Sequence, residues 1–328
     1  MSVNIKYKNN SIAELTDTGT KTLKTAGKYC EADIVVENTK DAAPPITGYY
    51  EANSIDNEDG TQTLVITDGT SIVDGIIVKA RDTDGYPTEV DIYCSSGVFD
   101  NVVCGRADGG NRDTRFIKLE KINFKNIITQ FKDQAFCVLS SLNTVTGVKA
   151  NPFEDVVSLG NWFTFNYCAL PGELSFPNLT SAGVYSFYCM PNVTKISCPK
   201  LTYAHQFFAY SCESLKEIYL PSCTTVNGDG RYALGNNTAL EKLEVGSVGH
   251  GVVGFKDIAL HGCTQSFLTV TIYTTGSNAD TMLAHIRNSA TGATIIIKAS
   301  EDTEYNSTAF AAGETILTST VETEVTDE

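Results

Sequence analysis

The chain has 328 residues, 42% of them apolar, which is ample for a core, and a net charge of −15 that argues against binding a phosphate backbone. No run approaches the ~18 consecutive apolar residues of a membrane helix, so neither membrane insertion nor nucleic-acid binding is expected. The opening Met-Ser-Val-Asn-Ile-Lys-Tyr-Lys lacks the apolar stretch of a secretory signal, so either the chain stays in the cytoplasm until assembly or release or a signal has been removed, and Met1 favours the first.

Residues 1–40 read as a separate β module. Val3, Ile5 and Tyr7 alternate, Ile34-Val-Val36 is a second strand, and a Thr- and Gly-rich stretch lies between them. Such a block is too small to hold a large core alone and is expected to pack on a partner or on copies of itself. Residues 38–46, with Pro44-Pro45, make a linker. Residues 47–84 form a small β unit with strands at 62–66 and 72–78 around the turn Asp68-Gly69. Asp82-Thr-Asp-Gly85 matches half of a calcium loop but lacks its full spacing and distal Glu, so a turn is the better reading. The strand Glu89-Val-Asp-Ile-Tyr93 then leads into a solenoid over residues 85–275.

The solenoid rests on a phrase that occurs three times: Leu174-Ser-Phe-Pro177-Asn-Leu179, Ile196-Ser-Cys-Pro199-Lys-Leu201 and Ile218-Tyr-Leu-Pro221-Ser-Cys223. The prolines at 177, 199 and 221 are spaced by 22 residues. Phe163, Tyr185 and Phe207 recur in phase with them, as do Phe165, Phe187 and Ala209. A period of about 20–29 residues with an apolar-x-apolar strand in each copy is the signature of a leucine-rich solenoid, so the predicted fold class is mainly β. One coil cannot bury its own apolar face. Stacking makes Leu174, Ile196, Ile218 and Leu243 neighbours in a continuous core, with parallel strands about 4.8 Å apart. Residues 116–124 and 127–145 read as looser first coils, and Phe255 to Ile272 as the last.

Beyond Tyr273 the period is expected to stop. Residues 276–328 form a cap and an acidic tail, with a short helix over 278–288 presenting Met282, Leu283 and Ile286, and a strand over 293–297. Of the ten cysteines, Cys137, Cys168, Cys189, Cys212 and Cys263 are read as one inward slot of successive coils, with Asn236 in that slot in the coil that lacks a Cys. Repeat-phased cysteines behave as small buried hydrophobes, so free thiols are expected, with Cys168, Cys189 and Cys212 in the repeat core. No Cys-x-x-Cys pair exists, and none of the four histidines sits at ligand spacing. With no nucleophile elbow either, the chain is read as a non-enzyme with no cofactor or metal. What remains is surface. Ser175, Ser197, Tyr219 and Glu244 point outward from the strands, and Tyr203 and His205 adjoin them in turns. The candidate binding residues are therefore Tyr203, His205, Tyr219 and Glu244, with aromatics as flat contacts.

The phrases Ala-Tyr-Ser-Cys212-Glu-Ser-Leu-Lys-Glu-Ile-Tyr-Leu-Pro221 and Phe-Tyr-Cys189-Met-Pro-Asn-Val-Thr-Lys-Ile-Ser-Cys-Pro199 resemble the BspA-type bacterial leucine-rich repeat. That resemblance implies surface-exposed binding or adhesion and brings no catalytic residues. The opening, with Gly-Thr-Lys-Thr-Leu-Lys-Thr-Ala-Gly-Lys-Tyr-Cys30, is similar to the start of structural proteins from tailed phages and prophages of Firmicutes. It implies a virion component assembled in the host cytoplasm. Together they suggest a phage or prophage structural protein whose solenoid binds a host cell-surface protein or glycan. Residues 1–40 would join it to other virion proteins, and homo-oligomers are possible. The alternative is a bacterial surface or secreted adhesin. A third reading, a carbohydrate-active enzyme, requires paired carboxylates about 5–10 Å apart in a cleft.

Overall fold

A computed structural model of the chain describes residues 75–100, 103–104, 116–162, 164–226, 232–256, 258–275 and 278–300, and the strand backbones of 3–6, 12–15, 20–24, 33–37, 49–50 and 315–317. The expected strand at 62–66, the linker at 38–46 and the end of the acidic tail lie outside the described residues. In the opening module, Val3–Lys6 pairs antiparallel with Ile12–Leu15, and Thr20–Lys24 with Asp33–Glu37. The chain divides into two compact units, Met1–Val156 with Phe163–Pro171, and Val157–Trp162 with Gly172–Glu328.

In the first unit, β1 (Gly75–Arg81) and β2 (Pro87–Tyr93) form an antiparallel hairpin. Their turn is built by Asp82, whose carboxylate accepts the backbone amides of Asp84 (3.0 Å) and Tyr86 (2.8 Å), with Gly85 at φ 86°. This accounts for the Asp-Thr-Asp-Gly spelling, and the boundary expected between 84 and 85 falls inside this turn. From β2 onward pairing is parallel, through β3 (Lys121–Phe124) to β4 (Thr144–Thr146). Val90, Ile92, Ile122 and Phe124 turn inward. Behind them Phe99, Phe131, Phe136 and Phe165 are almost fully buried, with Phe136 stacked on Phe99 (5.1 Å) and on Phe165 (5.6 Å).

The second unit is a longer stack. Its main sheet runs through β5 (Gly172–Ser175), β6 (Val193–Ser197), β8 (Glu217–Leu220), β10 (Lys242–Val245), β12 (Thr269–Thr274), β13 (Thr294–Ala299) and β14 (Thr315–Leu317), all parallel. A second parallel sheet joins β7 (Tyr203–Ala204), β9 (Thr225–Val226) and β11 (Gly254–Phe255). Leu174, Ile196, Ile218, Leu243, Val270 and Ile295 share one register line, none more than 4% exposed. Burying each such side chain contributes about 1.5–3 kcal/mol.

The structure corrects two expectations. The coil pattern does not stop at Tyr273, because β13 pairs with β12 from Thr269↔Thr294 to Thr274↔Ala299. Between them the helix α1 (Ala279–Ser289) takes the return path, burying Ala279, Met282, Leu283, Ile286 and Ser289. The strand periodicity survives there as Ile295 and Ile297, while the proline and cysteine marks that track the earlier coils are gone.

The second correction concerns the inward slot. Backbone bonds from Cys189 to Tyr210, Ser211 to Gly235 and Asn236 to His261 align Cys189 with Ser211 and Asn236 at the corner of the coil. These three residues adopt left-handed φ of 53°, 59° and 55°. The buried slot is the next position, held by Met190, Cys212, Asn237 and Cys263. Cys189 is thus a half-exposed corner residue and Asn236 an exposed one. In the first unit Val138 and Tyr167 are likewise left-handed corners followed by buried Leu139 and Cys168, so Cys137 also precedes the slot.

The slot has a definite polar task. Cys168 donates its thiol to Phe136 O (3.5 Å), Cys212 to Phe187 O (3.1 Å) and Cys263 to Leu234 O (3.5 Å), each in the preceding coil. Asn237 donates to Ala209 O (2.8 Å) and Leu234 O (2.7 Å), while its Oδ1 accepts the amide of Cys212 (2.8 Å). Cysteine and asparagine interchange here because both donate to carbonyls that turn corners leave unpaired.

Ile196→Asp should cost several kcal/mol and drop the melting temperature steeply, whereas Ser197→Asp, outward on the same strand, should leave it almost unchanged. Asn237→Ala should cost about 2–5 kcal/mol in denaturant titration, since it removes the side-chain partner of Ala209 O and the Cys212 amide and leaves Leu234 O with the Cys263 thiol alone. Burial pushes the thiol of Cys212 up to about 12 and those of Cys223 and Cys263 to about 11, from 9.0. Thiol reagents should therefore label these residues fast only after denaturation. Because the unfolded thiols ionise first, unfolding free energy should be level below pH 9 on their account. It should then fall as pH rises from 9 through 11–12.

Candidate functional site

In the second unit, the corners between Trp162 and His261 carry aromatic residues on their outer side. Tyr188, Tyr210 and Tyr232 follow one another at 22-residue intervals, and Tyr185 and Phe207 are also 22 apart. Tyr185 and Phe207 are left-handed, at φ 58° and 55°. A non-glycine residue pays about 1–2 kcal/mol for that conformation. The payment is repeated because it turns the chain sharply while keeping its amides aimed at the next coil: Tyr185 N to Gln206 O, Phe187 N to Phe208 O and Cys189 N to Tyr210 O. The result is a third inter-coil ladder whose inward residues, Phe187, Phe208 and Ala209, are buried, and whose outward residues are aromatic.

These outward rings form a herringbone in the second unit. In one row Trp162 stacks on Tyr185 (6.2 Å, 21°) and Tyr185 on Phe207 (4.8 Å, 12°). In the other, Tyr188 stacks on Tyr210 (5.7 Å, 10°). Between rows the rings meet edge to face, Tyr185–Tyr188 at 72°, Tyr188–Phe207 at 84° and Phe207–Tyr210 at 88°. Tyr232 extends the array, 5.7 Å from Tyr210 and 5.0 Å from His261. Gly235 allows this: a Cβ there would lie 2.7 Å from His261 O. At the other end a Cβ on Gly183 would overlap the backbone of Asn161, beside the bridge of Trp162 to Val184.

Trp162, 48% exposed, and His261 are the open ends, and the rings between them are half-buried. Ring faces are largely taken up by neighbouring rings. Burial, and then the neighbouring Tyr232, Cys189 and Cys263, push the Tyr210 phenol above its ordinary pKa, so it remains a neutral hydrogen-bond donor and acceptor.

The residues singled out from sequence fall into two pairs. Tyr203 and His205 lie together, rings 4.3 Å apart, at the start of the second sheet and just before Phe207. Tyr219 and Glu244 are register partners on the main sheet, where both are half-buried. Beside them runs a row of alternating charge, Glu173, Lys195, Glu217 and Lys242, with contacts of 3.5, 3.8 and 3.5 Å. Lys242 also reaches Glu244 (3.6 Å). Sequence reasoning passed over Trp162, Tyr188, Tyr210, Tyr232 and His261, although the tyrosine period was there to be counted. Phe163, placed in the aromatic phase from sequence, is outside the described residues.

Other chemistry finds little footing. Glu89 and Asp91, on one face of β2, both accept from Asn123 Nδ2, at 2.8 and 3.0 Å. Burial raises the Glu89 pKa, but hydrogen bonds from Lys121 and Asn123 and the charges of Lys121 and Lys79 outweigh it and hold it below the ordinary value. Asp91 is ion-paired with Lys125 at 3.2 Å. A carboxylate held ionised cannot serve as the proton donor of a glycosidase pair. Among the described residues no group of three or more His, Cys, Asp or Glu could hold a metal ion, and no helix is long and apolar enough to cross a membrane.

Residues 148–265 match the family described as "BspA type Leucine rich repeat region (6 copies)". Together with the stacked coils, this makes the fold a mainly β, leucine-rich-repeat solenoid of about seven turns. No curated protein matches the chain. A solved leucine-rich cell surface protein from Faecalibacterium prausnitzii A2-165 is similar at 17% identity and a TM-score of 0.40, over 58% of this chain and 51% of that one. The chain spans about half the length of that structure.

Phe207→Ala, which removes a ring touching Tyr185, Tyr188, Tyr210 and Tyr232, should destabilise the protein by about 3–5 kcal/mol in denaturant unfolding. Trp162→Ala, at the open end, should cost less than about 1.5 kcal/mol.

Proposed function

We propose that the chain is a non-enzymatic interaction protein of the bacterial surface, with the aromatic ladder of its second unit as the main contact face. One observation carries this reading: a row of ordered, half-exposed aromatic rings repeated over successive coils of a BspA-type repeat region. Rigid aromatic side chains contribute contact area at low entropic cost, which suits recognition. The main sheet is less suited, because its Glu and Lys residues already pair with one another.

The reading as a phage or prophage structural protein rests on the resemblance of the first 40 residues. The family match begins at 148, so it supports the surface-interaction alternative and leaves particle attachment without support. A role for Tyr203 and His205 as flanking contacts of the ladder remains part of the proposal, since they adjoin Phe207 in the chain. Tyr219 and Glu244 are proposed as a secondary patch on the main sheet. A separate module at 1–40 is likewise kept as a working proposal, while the coils expected over 85–275 run on past 275 and the boundary expected between 84 and 85 lies inside the turn of β1 and β2.

The test is attachment of the full chain to bacterial and animal cell-surface fractions. Trp162→Ala should weaken attachment about tenfold while the protein stays folded, and Tyr219→Ala should weaken it by less than about threefold. Stronger loss with Tyr219→Ala would move the contact face to the main sheet. Failure of the parent chain to bind any fraction would sink the reading.

A further inference from the structure

We infer that the aromatic ladder is a one-electron relay, which takes an oxidising equivalent from a surface oxidant at Trp162 and passes it through Tyr185 and Tyr188 to the thiol of Cys189. This activity goes beyond the proposed contact role and does not depend on it. Three observations carry it. The first is continuity. Ring centre to ring centre, Trp162 lies 6.2 Å from Tyr185, Tyr185 5.3 Å from Tyr188, Tyr188 5.7 Å from Tyr210, and Tyr210 5.7 Å from Tyr232. Rings at such separations are in contact, so an electron crosses from one π system to the next without a saturated bridge. Indole and phenol lose an electron to mild oxidants, whereas a phenyl ring does not. Packing alone does not ask for tyrosine here. Phe207 holds the left-handed place that Tyr185 holds one coil before, and the two rings stack. Yet the path from Trp162 through Tyr185 and Tyr188 to Tyr232 is made of oxidisable rings alone.

The second is the way in. Trp162 is the chain's one tryptophan and stands 48% exposed, while the tyrosines behind it are half-buried. A soluble oxidant therefore meets the indole first. The third is the way out. Cys189 follows Tyr188 in the chain, is half-exposed and donates its amide to Tyr210 O (2.8 Å). After burial and Tyr232, the charge of Cys189 is among the causes that raise the Tyr210 pKa, so its sulfur lies near that ring. The matching corner of the next coil carries Ser211 in the same left-handed conformation, so the turn itself does not require sulfur.

The steps balance. An outside one-electron oxidant takes an electron from the indole, whose N–H proton passes to water. The indolyl radical regains an electron from Tyr185 and a proton from water. The phenol of Tyr185 releases its own proton to water and becomes a tyrosyl radical, the more stable of the two near neutral pH. Tyr188 reduces Tyr185 in the same way. The radical on Tyr188 then takes an electron and a proton from the Cys189 thiol, which restores the phenol and leaves a thiyl radical. A small external thiol repairs it by giving up a hydrogen atom. The exposed thiol is spent and renewed, while Cys212 and Cys263 stay buried and reduced.

The test is pulse radiolysis of the full chain with the azide radical, a one-electron oxidant that prefers indole. The indolyl absorption should decay as the tyrosyl absorption rises, at a rate independent of protein concentration. Tyr185→Phe, the residue found at the matching corner of the next coil, should slow this transfer severalfold. Cys189→Ser, the residue found at position 211, should prolong the tyrosyl signal severalfold. The melting temperature of each variant checks that it is folded. A nitrone spin trap followed by peptide mass spectrometry should place the thiol adduct on Cys189. Indolyl decay without a tyrosyl rise, a rate that scales with protein concentration, or a Tyr185→Phe variant that transfers like the parent would overturn the relay. An adduct on Cys212 or Cys263, or a tyrosyl lifetime unaltered by Cys189→Ser, would overturn its exit and with it the inference.

Discussion

The structure depends on how each coil closes its backbone hydrogen bonds at the corner where the chain reverses. Straight segments pair easily, because parallel strands satisfy one another. Corners do not, since a sharp turn leaves carbonyls facing inward with no strand beside them. This chain meets the problem twice over. Left-handed residues such as Tyr185, Cys189, Phe207 and Ser211 rotate the amides toward the next coil. A donor one position on, Cys212, Asn237 or Cys263, reaches back to a carbonyl of the coil before. A buried unpaired carbonyl would cost about 1–3 kcal/mol per coil, and over a stack that loss rivals the whole stability of a domain.

The same constraint explains which parts of the fold were legible in the sequence. Strand register was readable because Leu174, Ile196 and Ile218 keep strict spacing and a strand admits only two faces. The turn at Asp82 was readable because Asp and Gly have local roles there. Cysteine marks the slot at Cys168, Cys212 and Cys263, but Cys137, Cys189 and Asn236 lie one residue before it, because residue type alone does not fix the phase. The interval from Cys168 to Cys189 is 21 residues, whereas 22 lands on Met190, which is buried. Conformation decides here, since residue type alone does not separate a corner from the slot behind it. The continuation past Tyr273 was hidden for a related reason: α1 performs by helix what earlier coils do by corner, so the marks of the repeat vanish while its strands persist.

The candidate site was harder to read than the fold. An outward residue on a strand is easy to identify, and that pattern led to Tyr219 and Glu244. Aromatic residues at 22-residue spacing are ambiguous in sequence, because Phe165 and Phe187 are core while Tyr188 and Tyr210 are surface. A shift of one position separates the two fates. Only the left-handed residues flanking Tyr188 show that the chain has turned and that its ring lies outside.

The two long faces of the second unit have different chemistry, and this decides where a partner can gain free energy. On the main sheet Glu173, Lys195, Glu217 and Lys242 already face opposite charges on neighbouring strands, so a partner must first break contacts that hold the coils in order. Exposed ion pairs contribute little stability, but swapping one charge would set like beside like, which makes the row a record of coil sequence more than a landing site. On the aromatic face the half-buried rings satisfy one another through their faces and edges. A ligand there displaces water and leaves the stack intact. The herringbone that steadies the corners is therefore also the surface that can be occupied without loosening them. Structural support and recognition fall on the same residues because the corner forces side chains outward at the period of the coil.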